Sequence, residues 1–386
     1  MKGKLILEDK SIFEGESFGA QISIAGEVVF STGMVGYPES LTDPSYKGQI
    51  LIFTYPLIGN YGVPDKKYWE SDKIQVNGFI VSNYIDTPHH QENKRTLRAW
   101  AVKENVPFLE ITDTRFLTQK IRTRGTMLGK IILEKNIDFY DPNKENLVGK
   151  VSTKKVQTQG NGKKKILLID CGAKQNIIRS LIKRDIEVIT VPWDFDPFPE
   201  DRPRRSHALD LRGLRFDAIV ISNGPGDPKM AVKTIEIIRK AVGRKIPILG
   251  ICLGHQLLAL AAGGDTQKLK FGHRSQNQPC ILNNARLAGR LGLRSHFGEG
   301  GSFSEGRCFI TTQNHGFTVN KIPKGFNKWF TNANDNSNEG IIHQKLPFMS
   351  VQFHPEANPG PEDTGWIFDY FMERVVSSRT RFRILY

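Results

Sequence analysis

Three side chains in this sequence could form a nucleophilic centre: Cys252, His354 and Glu356. Cys252 lies in Gly250-Ile251-Cys252-Leu253-Gly254-His255-Gln256, directly behind the apolar run Ile246-Pro247-Ile248-Leu249. Glycines on both sides permit a strained strand-to-helix turn, a nucleophile elbow with the reactive atom at its tip. The following helix, expected over Leu257 to Ala262, would aim its N-terminal N–H groups at the sulfur, the setting in which thiols act as thiolate nucleophiles. His354 and Glu356 stand in Gln352-Phe353-His354-Pro355-Glu356, behind the apolar run Phe348 to Val351. In extended chain, residues two apart face the same way. Glu356 can therefore reach the His354 ring and fix its tautomer while the other nitrogen faces the thiol. Each piece has a plainer reading when taken alone. A cysteine after a strand is commonly a small buried hydrophobe, and His-Pro-Glu is commonly a loop. Their joint occurrence at strand ends favours covalent catalysis by a thiol.

Two further loops could complete such a site. Ser222-Asn223-Gly224-Pro225-Gly226-Asp227-Pro228 follows an apolar strand and precedes a helix, but it lacks the Gly-Lys-Ser/Thr ending of a nucleotide P-loop. Gly224 and Gly226 would let backbone approach a small substrate, and an N–H there, paired with that of Leu253, would make an oxyanion hole. A tight turn without chemistry is the alternative. Gln313-Asn314-His315-Gly316-Phe317 offers amide, imidazole and bare backbone within five residues, suited to the α-amino and α-carboxylate groups of an amino acid. An ordinary loop is the alternative there. His315 is also a rival for the base role, although it has no carboxylate two residues away.

These residues need elements to hold them. A chain of 386 residues exceeds the roughly 250–300 that one core usually serves, so two domains are expected. Residues 1–150 read mainly as strands (Lys4 to Leu7, Ile22 to Val29, Ile50 to Tyr55, Phe79 to Tyr84, Met127 to Leu133), with helices near Thr96–Glu104 and Thr114–Ile121. This is an N-terminal α+β domain. The polar stretch 151–164 reads as a linker. From 165 to 386 strands and helices alternate, which predicts an α/β domain with a doubly wound, mostly parallel sheet and reactive residues at the carboxyl ends of strands.

Composition narrows the function classes. No apolar run approaches the ~18 residues of a membrane span, and the start Met1-Lys2-Gly3-Lys4 lacks the apolar core of a secretory signal. A cytoplasmic location is therefore expected, without membrane attachment. Four cysteines without Cys-x-x-Cys spacing, and nine histidines without a His-Glu-x-x-His pattern, predict neither a disulfide framework nor a metal site. His89-His90 reads as surface. The net charge of +14 sits largely in residues 202–215, 286–307 and 379–383. Those stretches carry no interleaved aromatics for stacking bases, so a solvated basic surface is expected rather than a nucleic-acid partner, with an acidic protein partner as the next reading.

From about residue 165 onward the chain resembles class I glutamine amidotransferase domains, through Gly224-Pro225-Gly226-Asp227, Gly250 to Gln256 and His354-Pro355-Glu356. Asp170-Cys171-Gly172-Ala173-Lys174-Gln175-Asn176-Ile177, Lys270-Phe271-Gly272-His273 and Gln313 to Phe317 narrow the likeness to the small, glutaminase subunit of carbamoyl phosphate synthetases. In front, Thr32-Gly33-Met34-Val35-Gly36-Tyr37 and Leu41-Thr42-Asp43-Pro44-Ser45-Tyr46 resemble the domain found only in that subunit. The resemblance implies that Cys252 attacks the side-chain amide of L-glutamine, His354 relays protons to the departing ammonia and Glu356 orients His354. It also implies that Gly224 and Leu253 supply the oxyanion hole, while Ser45, Gly226, Gln256, Asn314, Gly316 and Phe317 hold glutamine, with Ser45 reaching in from the front domain. It implies no cofactor in this chain. ATP and Mg would belong to a large synthetase subunit, the expected partner in a heterodimer or higher assembly, which would receive ammonia through a tunnel and feed arginine and pyrimidine synthesis. Glutaminases serving anthranilate or guanylate synthetases, a non-catalytic regulator and a cysteine peptidase are the rival readings. The chain departs from the family's pattern at Glu200 to Leu214, at Leu282 to Gly306, at the tail Arg379 to Tyr386, and at Arg274-Ser275-Gln276, where the family usually has glycines.

Overall fold

The computed structural model describes residues 1–198, 214–283 and 306–381. Most of the basic stretches singled out in the sequence, and residues 382–386 of the tail, lie outside the described residues. The first unit is a closed barrel of seven strands: β1 (Lys2–Leu7), β2 (Ile12–Ser17), β3 (Ile24–Ser31), β4 (Gln49–Phe53), β5 (Gly78–Val81), β6 (Phe108–Glu110) and β7 (Met127–Ile132), in the order β1-β2-β6-β5-β4-β3-β7. Strands β3, β4, β5 and β6 are mutually parallel, whereas β1, β2 and β7 pair antiparallel and close the ring. The period-two rule explains why β4 is apolar from Ile50 to Phe53: Ile50 and Ile52 enter one core cluster while Leu51 and Phe53 enter another. The closure and the strands β2 and β6 were not evident in the sequence. β2 alternates half-buried with exposed residues, and β6 is three residues long.

Ten strands make the second sheet: β8 (Gln157–Gln159), β9 (Lys164–Asp170), β10 (Ile186–Pro192), β11 (Ala218–Ile221), β12 (Ile248–Ile251), β13 (Asp265–Leu282), β14 (Cys308–Lys321), β15 (Phe326–Asn332), β16 (Asn338–His343) and β17 (Phe348–Val351). Their order is β14-β13-β15-β16-β17-β12-β11-β9-β10-β8. The expected parallel core spans β10, β9, β11, β12 and β17. Antiparallel strands extend it on both sides, and the long β13–β14 pair forms one edge of the sheet. Core clusters on both faces of the parallel strands include apolar residues of the helices Gln175–Ile182, Val232–Gly243, Leu253–Ala261 and Trp366–Arg381. One sequence expectation needs correction here. Residues 151–164 are not a linker throughout, because Gln157–Gln159 pairs antiparallel with β10 and finishes that edge of the sheet. Its exposed, polar composition hid the strand: an edge strand at the surface needs no apolar face.

The two units are stitched together by polar contacts as well as by backbone. Glu70, fully buried, accepts from the Asn176 N–H at 3.0 Å, pairs with Arg179 and bonds Asn358. Thr126 N and Thr32 N donate to Lys270 O and Arg274 O at 2.8 and 3.2 Å. The barrel thus closes over the end of the sheet where the reactive residues emerge.

Candidate active site

Four of the promising segments leave the carboxyl end of a parallel strand, whereas Gln313 to Phe317, expected as a loop, lies within the antiparallel strand β14. Asp170 to Lys174 follows β9, Ser222 to Gly226 follows β11, Cys252 follows β12, and Gln352 to Glu356 follows β17. The elbow forms as expected but tighter, since the helix begins at Leu253 rather than Leu257. Cys252 is held at φ 53, ψ −103, a strained conformation for a residue with a side chain. Its neighbours show why they are glycines. A Cβ on Gly250 would meet Gly254 O at 2.4 Å, and one on Gly254 would meet Ile221 O at 2.2 Å. The Gly254 N–H donates to Ser222 O at 3.1 Å and so ties the elbow to the neighbouring loop. Gly254→Ala must displace backbone, and we expect it to cost about 2–3 kcal/mol of stability. Chemical denaturation would check this, and an unchanged unfolding midpoint would contradict the packing argument.

His354 and Glu356 are buried, and His354 Nδ1 contacts Glu356 Oε1 at 2.6 Å. The other ring nitrogen, Nε2, is enclosed, and the ring interacts with the Cys252 side chain. Burial alone would lower the imidazole pKa. The charges of Glu356 and of a Cys252 thiolate outweigh it and raise the pKa to about 10. Glu356 is held at about 2, because Lys174 and His354 overcome the burial that would raise it. Lys174 supplies this from 3.2 Å, itself buried, and donates to Ala357 O at 2.6 Å. The arrangement is a thiol, an imidazole poised to hold or give a proton, and a carboxylate locked to the imidazole by a third charge. The sequence reading quoted Lys174 without giving it a role.

His315 can be set aside as the base. Its Nδ1 lies 2.8 Å from Phe317 O and its Nε2 lies 3.0 Å from Gln313 Oε1, while burial drives its pKa well below the ordinary value. Together with His273 and Glu339 it forms a group whose donor atoms lie within 4.8 Å of one another. His273, however, places Nδ1 at 3.0 Å from Gln313 Oε1 and Nε2 at 2.9 Å from Asp335 Oδ2. Against burial, the bonds to Asp335 and Glu339 raise its pKa to about 9. Both ring nitrogens of His273 face oxygen atoms, and the group forms a hydrogen-bond network behind the pocket.

A small pocket opens beside the sulfur. All the residues that the sequence associated with glutamine line it: Ser45, Gly224, Gly226, Leu253, Gln256, Asn314, Gly316 and Phe317. Glu27, Gln49, Asn143, Arg274 and His315 line it as well. Among the described residues the backbone N–H groups of Gly224 and Leu253 find no hydrogen-bond partner and remain available to a developing oxyanion. A Cβ on Gly224 would lie 2.1 Å from Cys171 O, so only glycine brings that N–H to its place. Gln256 donates to Phe317 O and Gln352 Oε1 at 2.9 and 3.0 Å.

Asp43 was not singled out by the sequence as a site residue, yet it organises the inter-domain half of the site. Its carboxylate accepts from Ser45 N at 2.9 Å, from Asn314 Nδ2 at 2.9 Å and from Asn223 Nδ2 at 3.3 Å, while Asn223 also donates to Ser45 Oγ at 2.8 Å. The signal was present in Asp43-Pro44-Ser45, a helix-cap pattern, but its partners lie 180 and 271 residues away. Asp43→Ala strands buried donors. We expect it to raise the KM for glutamine at least ~10-fold with a smaller change in kcat, and an unchanged KM would remove its positioning role.

Comparison with known families and proteins agrees with this geometry. The sequence matches Glutamine amidotransferase class-I over residues 167–374 and Carbamoyl-phosphate synthase small chain, CPSase domain, over residues 5–131. It is 42% identical over 418 residues to Multifunctional protein URA2 of Saccharomyces cerevisiae, covering 96% of this chain and 17% of that protein. It is 44% identical over 386 residues to Multifunctional protein CAD of Squalus acanthias, covering 96% of this chain and 16% of that one. To Carbamoyl-phosphate synthase [ammonia], mitochondrial, of Mus musculus it is 42% identical over 385 residues, covering 96% and 23% respectively. The chain thus spans less than a quarter of the length of these relatives. With the amidotransferase match covering more than half of its residues and a carbamoyl-phosphate synthase small-chain domain in front, the chain belongs to the class I glutamine amidotransferase family, in the carbamoyl-phosphate synthase branch.

Proposed function

We propose that this chain is the glutaminase part of a carbamoyl phosphate synthetase. Cys252 attacks the side-chain amide carbon of L-glutamine, and the N–H groups of Gly224 and Leu253 receive the oxyanion. The imidazolium of His354 then protonates the departing nitrogen, which leaves as ammonia. A water molecule, deprotonated by the same imidazole, opens the thioester to glutamate and restores the thiol. The observation that carries the reading is the meeting, in one inter-domain pocket, of the elbow cysteine, its buried His–Glu pair and a lining matched to a small amino acid.

The ammonia would pass to a large synthetase part that holds ATP and Mg and makes carbamoyl phosphate from bicarbonate, serving arginine and pyrimidine synthesis. Two relatives carry the name multifunctional protein and are several times longer than this chain, which supports such a partner, fused or separate. A second, small cavity is lined by Asp43, Lys174, Asn314, His354 and Pro359 among others. The word ammonia in the mouse relative's name describes that protein's nitrogen source. In this chain the complete thiol–imidazole–carboxylate set supports glutamine. Action in the cytoplasm is part of the proposal, supported by four unpaired cysteines; no helix among the described residues is long and apolar enough to cross a membrane.

The test is glutamate release from L-glutamine by the purified protein, with and without a large synthetase part, ATP and bicarbonate. Release that the partner accelerates, with carbamoyl phosphate appearing, is the expected result. No release under either condition would sink the proposal.

A further inference from the structure

The pocket contains a cation that the nucleophilic centre does not use. Arg274 lies in β13 directly opposite Asn314 of β14 and is 5% exposed. Nη1 donates to Phe271 O at 2.7 Å, while Nε is enclosed without a partner. Among the described residues Arg274 forms no ion pair. Glu27, the acidic group that acts on it most strongly, already receives hydrogen bonds from Lys268, Thr126, Asn143 and Gln49. The guanidinium lies over bare backbone, since a Cβ on Gly316 would stand 3.2 Å from Nη2. Arg274 and Gly316 line the same pocket as Cys252 and Gln256.

A buried guanidinium that makes no direct ion pair and shares its nearest acid, Glu27, with four other donors is incompletely compensated, and a ligand carboxylate would complete it. The planar fork of a guanidinium matches a carboxylate in shape and charge. We propose that Arg274 anchors the α-carboxylate of the substrate, so that the site takes free α-amino acids with a carboxamide side chain and rejects carboxamides that lack a carboxylate. The inference rests on the glutaminase reading and adds the determinant of its selectivity.

The test uses the full-length protein with three amides: L-glutamine, glutaramate (carboxylate kept, α-amine absent) and γ-aminobutyramide (α-amine kept, carboxylate absent). Arg274→Gln is expected to lower kcat/KM for glutamine and for glutaramate relative to γ-aminobutyramide by about 10–100-fold, mainly through KM, with Arg274→Lys intermediate. A merely structural role would depress all three together, and that result, or an unchanged ratio, overturns the proposal. The rate at which iodoacetamide alkylates Cys252 reports that the variant site is folded. If the wild type hydrolyses no glutamine, the glutaminase reading falls separately. The anchor is then judged by the glutamine concentration that protects Cys252 from alkylation, expected to be higher in Arg274→Gln. Equal protection in both proteins, or protection in neither, overturns it.

Discussion

Cys252→Ala abolishes glutamate release from glutamine, by at least ~10⁴-fold in kcat, while leaving the fold intact. The size of the effect follows from chemistry. No other described side chain in the pocket offers a nucleophile beside an imidazole whose Nε2 is enclosed, and removing a covalent nucleophile leaves only binding and the oxyanion donors. The fold should tolerate the change, because alanine is smaller and the strained φ at position 252 is imposed by the flanking strand and helix. A large synthetase part supplied with free ammonia should still make carbamoyl phosphate. This separates the glutaminase from a peptidase, which would have no such ammonia rescue, and from a regulator, which would lose nothing. Residual glutamate release above ~1% of wild type would mean that the nucleophile is elsewhere.

Glu356→Gln has the second largest expected effect, and it carries a pH signature. In the wild type, burial lowers the His354 pKa while Glu356 and Cys252 raise it to about 10, so the imidazolium that protonates departing ammonia persists through neutral pH. Without the Glu356 charge the largest opposing influence is gone, and burial pulls the ring pKa down. The alkaline limb of activity should therefore move from near pH 10 towards neutrality, with kcat at pH 7 lower by ~10²–10⁴-fold. A pH profile of kcat checks this, and superimposable alkaline limbs would remove Glu356 from its assigned role.

Stability follows the same charges. His354 has a folded pKa raised from 6.5 to about 10, so its contribution is complete below about pH 6.5 and fades as pH rises through 10. Glu356 is depressed from 4.5 to about 2, so its contribution is present above about pH 4.5 and fades as pH falls through 2. The variant also leaves Lys174 buried beside a neutral amide, which should cost about 3–5 kcal/mol at neutral pH.

What could be read from the sequence was local. Glycines flanking Cys252, the two-residue step from His354 to Glu356, and apolar runs ending at each reactive residue are short-range patterns whose geometry the backbone dictates within a few residues. They determined the elbow, the His–Glu pair and the parallel core of the second sheet, whereas the glutamine-holding residues were implied by the family resemblance. The tertiary structure alone decided what depends on distant partners. It closed the front strands into a barrel through the pairing of β1 with β7, turned part of the apparent linker into an edge strand, brought Asp43 to Asn314, and placed Lys174 on Glu356. It also left Arg274 open to the pocket. Such contacts pay loop-closure entropy across hundreds of residues and are held by packing rather than by local preference, so no spacing along the chain announces them.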